Sequence, residues 1–157
     1  MRDIVLEWYV THIPDKRELL VRAVLVSAAV VFLVDAVFFA AFMLFPAAAA
    51  AVGAWILTRR GKFEYEFVYV NGDFTVSRII RKSRRKDVYH VERVDIETFR
   101  EGRQEQVLRS MDFTSGRPDA RVYSLKAKGT WICMEAIPEF VEEMSRYYPI
   151  QAGGSNG

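Results

Sequence analysis

The sequence predicts an α+β membrane protein. An N-terminal transmembrane helical hairpin is followed by a small antiparallel β barrel or sandwich with a C-terminal amphipathic helix. Three observations carry this reading. Leu19 to Thr58 is a forty-residue apolar run whose only formal charges are Arg22 and Asp35. Downstream, Phe63 to Val70 alternates aromatic and acidic residues and runs into Asn71-Gly72. Near the end, Ile137, Phe140, Val141, Met144 and Tyr148 recur at helical spacing.

The apolar run comes first. A bilayer's hydrocarbon core is ~30 Å thick and takes about twenty apolar residues as a helix, so this run suffices for two passes. Residues 19–45 form the first helix. Pro46, poor inside a helix but suited to a first turn, opens the second, which ends at Thr58 or Arg60. One unbroken helix from Asp15 to Arg60 would be about 67 Å long and overshoot the bilayer. A kinked single span with its second half on the surface is the alternative. Ala47-x-x-x-Ala51 and Ala49-x-x-x-Gly53 favour the hairpin, because small residues let helices approach closely in lipid. At twice the usual maximum, the run is too long for the apolar region of a cleaved signal peptide.

Lys16, Arg17 and Arg22 flank the entry, Arg59, Arg60 and Lys62 flank the exit, and the turn near Phe45–Pro46 is uncharged. The positive-inside rule then predicts a cell-membrane protein of two spans with both termini cytoplasmic. Asp35 is the polar group of the membrane interior, at a cost of ~2.5–3.5 kcal/mol for a central position. Ser27, Val31 and Asp35 share a helical stripe that faces the second helix or another subunit. Helix pairing or reach to the interface is the favoured role, and transport within a homo-oligomer the other.

The remaining chain divides into residues 1–14, an N-terminal interfacial segment, residues 61–150, a cytosolic β domain, and residues 151–157, a flexible tail. In the first segment, Ile4/Trp8 and Leu6/Val10 are i,i+4 pairs, as in an interfacial helix with Trp8 and Tyr9 at headgroup depth. Packing on the soluble domain fits equally well. Ile13-Pro14-Asp15 suits the start of the first long helix. In the β domain, Phe63–Val70 is a strand with one aromatic face. Asn71-Gly72 is a type I′ hairpin turn, and Phe74–Lys82 is the return strand. Lys86–Val91, Val94–Phe99, Arg121–Lys128 and Thr130–Ala136 read as further strands, with Lys128-Gly129 a turn. Gln104–Phe113 fits a short helix or a strand, and Ser115–Asp119 is a loop. Pro138 opens the last helix, whose Glu139, Glu142, Glu143 and Arg146 face outward.

Composition narrows the chemistry. The 157 residues carry 22 Lys+Arg against 20 Asp+Glu, and the mean hydropathy of +0.02 averages a greasy third and a polar remainder. With Cys133 as the single cysteine and His12 and His90 as the only histidines, no intrachain disulfide forms and His/Cys zinc sites are nearly excluded. No metal and no cofactor is expected. Isolated glycines make no phosphate-cradling loop. His90 reads as a structural strand residue, Cys133 as a small core residue, and Glu92, Asp95 and Glu97 as a solvated acidic face. A non-enzymatic protein is expected.

One stretch asks for a partner. Arg78 to Lys86 holds six basic residues in nine: Arg78, Arg81, Lys82, Arg84, Arg85 and Lys86. Anionic lipid headgroups, nucleic acid or an acidic protein surface could neutralise them. The tether to the bilayer favours lipid, at ~1 kcal/mol per basic residue near an anionic leaflet. The patch lacks the interleaved aromatics that nucleic acid uses, so no nucleic acid is expected. The competing reading, a solvated strand end that deters edge-to-edge aggregation, weighs equally.

The layout of hairpin, strands and closing helix resembles bacterial pleckstrin-homology-like modules that follow short transmembrane hairpins. The pieces MRDIVLEWYV, FEYEFVYVNGDFTVSRIIRKSRRK and ICMEAIPEFVEEMSRYYP are also similar to a clostridial family of small two-span membrane proteins of unknown function. That resemblance implies no activity. The expectation is a membrane-anchored, non-enzymatic binding or scaffold protein whose cytosolic domain contacts an unidentified protein partner or anionic lipid. The alternative is an accessory subunit of a membrane transport complex assembled through the hairpin.

Overall fold

The computed structural model describes residues 3–80, 82–104 and 109–149. The chain forms two units: Ile13–Lys62, and Met1–His12 together with Phe63–Gly157. The predicted tail, residues 151–157, lies outside the described residues.

The first unit is a helical pair. Helix α1 spans Lys16–Phe38, about 35 Å at 1.5 Å per residue. Asp15 caps it, its carboxylate accepting from the Lys16 amide at 2.7 Å. A 3-10 turn, Ala41–Met43, leads into α2, Leu44–Arg60. Pro46 sits in the first turn of α2, where its missing N–H leaves no gap in the hydrogen-bond ladder. Two segments are long and apolar enough to cross a membrane: α1, and Ala41–Arg60, which joins the 3-10 turn to α2. On α2, Ala47 and Ala54 are buried and Ala50 and Gly53 half-buried. A Cβ added at Gly53 would stand 3.6 Å from Leu25 Cδ1, so this stripe is where the helices approach. Ala49 and Ala51 are exposed, which corrects the predicted small-residue face. Ala47 and Ala49 lie about 200° apart around a helix, so the two predicted pairs could not share one face.

The second unit contains two four-stranded sheets. In the first, β1 (Val5–Thr11), β2 (Phe63–Val70), β3 (Asp73–Ile80) and β4 (Arg84–Val91) lie in chain order, all antiparallel. In the second, β5 (Ile96–Glu101), β6 (Ser110–Asp112), β7 (Val122–Ala127) and β8 (Thr130–Glu135) are ordered β5-β7-β8-β6, with β6 parallel to β8. The barrel alternative is not realised, since no pairing joins the two sheets among the described residues. Asn71 and Gly72 take φ of 50° and 116°, as their turn requires.

Residues 1–14 require correction. They contribute strand β1 rather than an interfacial helix, and β1 pairs with β2 from Val5↔Val70 to Thr11↔Glu64. Leu6, Trp8 and Val10 turn inward while Val5, Glu7, Tyr9 and Thr11 turn out. The helical pair is therefore an insertion between the first two strands of a sheet.

One core joins both sheets to the last helix, α3 (Pro138–Tyr147). Trp8 stacks on Phe67 with ring centroids 5.1 Å apart, and its indole N–H donates to the Glu135 carbonyl at 2.9 Å. Phe140 of α3 meets Trp8 at 4.9 Å, Tyr69 at 5.3 Å and Phe99 at 5.9 Å, touching both sheets. Its helical period places Phe140 and Met144 inward, as the spacing predicts.

Candidate functional site

The basic stretch lies at one end of the first sheet. There the His12 amide donates to the Phe63 carbonyl at 3.2 Å, Phe63 pairs with Ile80, and Ile80 pairs with Arg84. Lys82, in the turn from Ile80 to Arg84, takes φ of 58°, and the Ser83 amide donates to the Ile80 carbonyl at 3.3 Å. This is also the sheet end at which the chain departs after Thr11 and returns at Phe63. The basic turn and both ends of the insertion therefore share it.

The pleat then divides the cations between two faces. Residues opposite one another across strands point to the same side of a sheet. Arg78 lies opposite Lys86 and Ile80 opposite Arg84, on the face that carries Phe74 and Val76 inward. Arg85 lies opposite Ile79, on the other face. A bulge at Val76/Ser77 sets this register.

On the outer face, Arg85 is already engaged. Its Nη2 lies 2.9 Å from Glu66 Oε2 and its Nε 3.9 Å from Asp87 Oδ1. Glu66 is 4 % exposed although it faces away from the core, because Tyr9 and Arg85 cover it. The Tyr9 hydroxyl shares its one proton between Glu7 and, at 3.0 Å, Glu66. Those hydrogen bonds, Glu7 first and then Glu66, push the phenol well above the ordinary tyrosine value. Asp87 accepts from Ser77 at 2.6 Å. Arg85, one of the six expected anion contacts, is thus the counter-ion of a buried carboxylate while its own side chain stays exposed.

On the inner face, Arg78 is half-buried with its guanidinium carbon 3.8 Å over the Phe63 ring. Its Nε is buried and bonds no acceptor among the described residues. Burial raises the nearby Tyr65 phenol, and the Arg78 charge works against that rise. Lys82, Arg84 and Lys86 are exposed. Among the described residues none of these three, nor Arg78, forms an ion pair. Arg81 lies outside the described residues.

The other candidates are dispersed. Asp35 is half-buried near the end of α1, its carbonyl accepting from the Phe39 and Ala40 amides. Val31 and Ser27, one and two turns earlier on the same stripe of α1, are exposed. His90 Nδ1 is 2.9 Å from Thr75 Oγ1 on the exposed outer face. Cys133 is buried, 3.5 Å from Ser124 Oγ. Glu97 pairs with Lys126 at 2.7 Å and accepts from the Gly129 amide, and both hydrogen bonds hold its carboxyl below the usual value. Asp95 pairs with Lys128 at 2.8 Å. No three His, Cys, Asp or Glu are grouped to hold a metal among the described residues.

Two polar clusters had no signal in the sequence. Arg93 donates to the Tyr69 hydroxyl at 2.9 Å, lies 4.1 Å over Tyr147 and stands 3.7 Å from Glu143 Oε1. Glu143, expected to face outward, is 5 % exposed beneath it. Arg103 pairs with Asp112 at 2.6 Å, and Asp112 also accepts from the Thr114 amide and hydroxyl. Burial raises the Asp112 carboxyl, but these bonds outweigh it and leave a net value below the ordinary aspartate.

Residues 2–152 match the family model described as Bacterial PH-like domain (DUF6106), and the chain belongs to that family. The description carries the pleckstrin-homology-like part of the resemblance seen in the sequence, and it states no source organism and no membrane spans. No curated protein and no solved structure matches the chain.

Proposed function

We propose that this PH-like protein is a membrane-anchored, non-catalytic binding module. The α1–α2 hairpin crosses the cell membrane twice, and the sheet unit on the cytoplasmic side holds its basic β3–β4 turn against anionic headgroups. One observation carries the reading: the basic turn and both attachment points of the hairpin share one end of one sheet. Four residues separate β1 from α1 and two separate α2 from β2, so both links at that end are short. Each exposed cation there contributes ~1 kcal/mol near an anionic leaflet, over a Debye length of about 8 Å. Lys82, Arg84 and Lys86 are the contacting residues, with Arg78 behind them. The opposite end of the sheet and the face of α3 remain for a protein partner.

The test uses the full chain in nanodiscs, with an environment-sensitive probe on Ser83→Cys at the turn. In anionic discs, headgroup quenchers should reach the probe, and quenching should fall as salt is raised. Quenching that is the same in zwitterionic and anionic discs would refute the contact.

The accessory-subunit reading is weaker. Asp35 is half-buried, and on its helical stripe Val31 is apolar and only Ser27 is polar, so the stripe is not a continuous polar face for a conduit.

A further inference from the structure

Arg78 and Lys86 stand directly opposite each other on β3 and β4. In an antiparallel pair their Cβ atoms are ~4.5–5.5 Å apart, and like charges so placed destabilise the sheet. Arg78 turns only partly to water. It is half-buried over Phe63, its Nε is buried without an acceptor, and no carboxylate among the described residues pairs with it. Arg84 lies on the same face one pleat further along, again without a partner among the described residues. Arg85 and its carboxylate are on the other face and do not compensate.

We infer that Arg78 and Lys86 form a phosphate subsite that selects a phosphomonoester over a phosphodiester. A monoester carries about −1.5 to −2 charge at neutral pH and three acceptor oxygens. It can therefore bridge two cations and still meet Arg84. A diester brings a single charge and two free oxygens. The added charge between cations corresponds to about a fivefold preference. The inference rests on the membrane-contact reading above, but it names the headgroup chemistry and the two residues that choose it.

The full chain is embedded in zwitterionic nanodiscs doped equally with phosphatidic acid and phosphatidylglycerol, and the lipids retained on release into mild detergent are quantified. Phosphatidic acid should be enriched about fivefold over phosphatidylglycerol. Arg78→Gln and Lys86→Gln should each bring the two lipids close to parity, whereas Lys128→Gln on the β7–β8 turn should not. Lys86 is exposed, so its variant keeps the test valid if loss of Arg78 disturbs the sheet. Added glycerol 3-phosphate separates the sources: release of the retained lipid shows that the subsite also takes a soluble monoester, and retention shows a lipid headgroup ligand. Parity in the unaltered protein, or a preference surviving both variants, overturns the inference. If both lipids are held equally and both are lost when Lys82 and Arg84 are neutralised, the membrane contact stands and the subsite falls. If neither is held above the zwitterionic lipid, both fall.

Discussion

Trp8→Ala tests whether the N-terminal strand is part of the domain. Trp8 is 6 % exposed, stacks on Phe67, meets Phe140 and donates to the Glu135 carbonyl, so it ties β1 to β2, to α3 and to the second sheet. Truncating a buried aromatic to alanine costs about 3–5 kcal/mol, because transfer energy is lost and the cavity does not close. The orphaned Glu135 carbonyl adds to that cost, which places Trp8 near ~4 kcal/mol. A typical domain has only about 5–15 kcal/mol in total. Amide exchange reads the effect locally: in β3, protection should fall about a thousandfold, at tenfold per ~1.4 kcal/mol. Peptides covering Phe74 to Ser77 of the full chain in detergent report it. Tyr9→Phe, on the same strand but pointing outward, should change protection less than tenfold. A Trp8→Ala variant whose β3 amides lose tenfold or less would refute the pairing, because β1 would then be an appendage rather than a core strand.

Further outcomes follow from the same geometry. Arg85→Gln should destabilise the sheet unit by about 2 kcal/mol, because it strands the buried Glu66, while Lys86→Gln should stay within about 0.5 kcal/mol; urea midpoints of the two variants check this. Gly72→Ala should cost more than ~1 kcal/mol in thermal unfolding, since φ of 116° strains any side chain and its Cβ would stand 3.0 Å from Arg93 Nε. Acid should loosen the domain. The folded Asp112 and Glu97 carboxyls lie below their unfolded values of about 3.9 and 4.3, so the unfolded chain binds protons more readily. Their stabilisation is full above pH ~4–5 and lost as pH falls through the folded values; thermal midpoints against pH should show this, with a shallower fall for Asp112→Asn. Cysteines at Val5 and Lys128, both exposed, should be labelled from the same side of sealed vesicles.

Much of the fold was legible because local chemistry dictates it. Asn71-Gly72 supplies two positive φ angles in sequence, and Phe63, Tyr65 and Phe67 alternate with Glu64 and Glu66, so the β2–β3 hairpin reads directly. Strand β1 does not, because its partner lies across the whole insertion, from Val5 to Val70. Its alternation was present in Leu6, Trp8 and Val10, but apolar Val5 and Tyr9 on the outer face blurred it. The site was half legible. Density of charge located Arg78 to Lys86, but only the register shows that Arg78 and Lys86 face one way and Arg85 the other. Glu66 and Glu143 look like solvated carboxylates in sequence, and they are buried by Arg85 and Arg93, whose contacts no local pattern predicts.

For the proposed membrane hairpin, the insertion point constrains topology more strongly than the flanking charges do. Neighbouring strands lie ~4.8 Å apart, so Thr11 and Glu64 must end on the same side of any bilayer that the intervening helices enter. A single crossing would set ~30 Å of hydrocarbon between them and forbid the pairing. The sheet thus fixes the parity of crossings as even, and Trp8 supplies several kcal/mol to enforce it. Under the proposed membrane reading, the cations at Lys16, Arg17, Arg59, Arg60 and Lys62 bear on a separate matter, which face of the membrane the unit occupies. Neutralising them could turn the whole protein over, but it could not part the two strands.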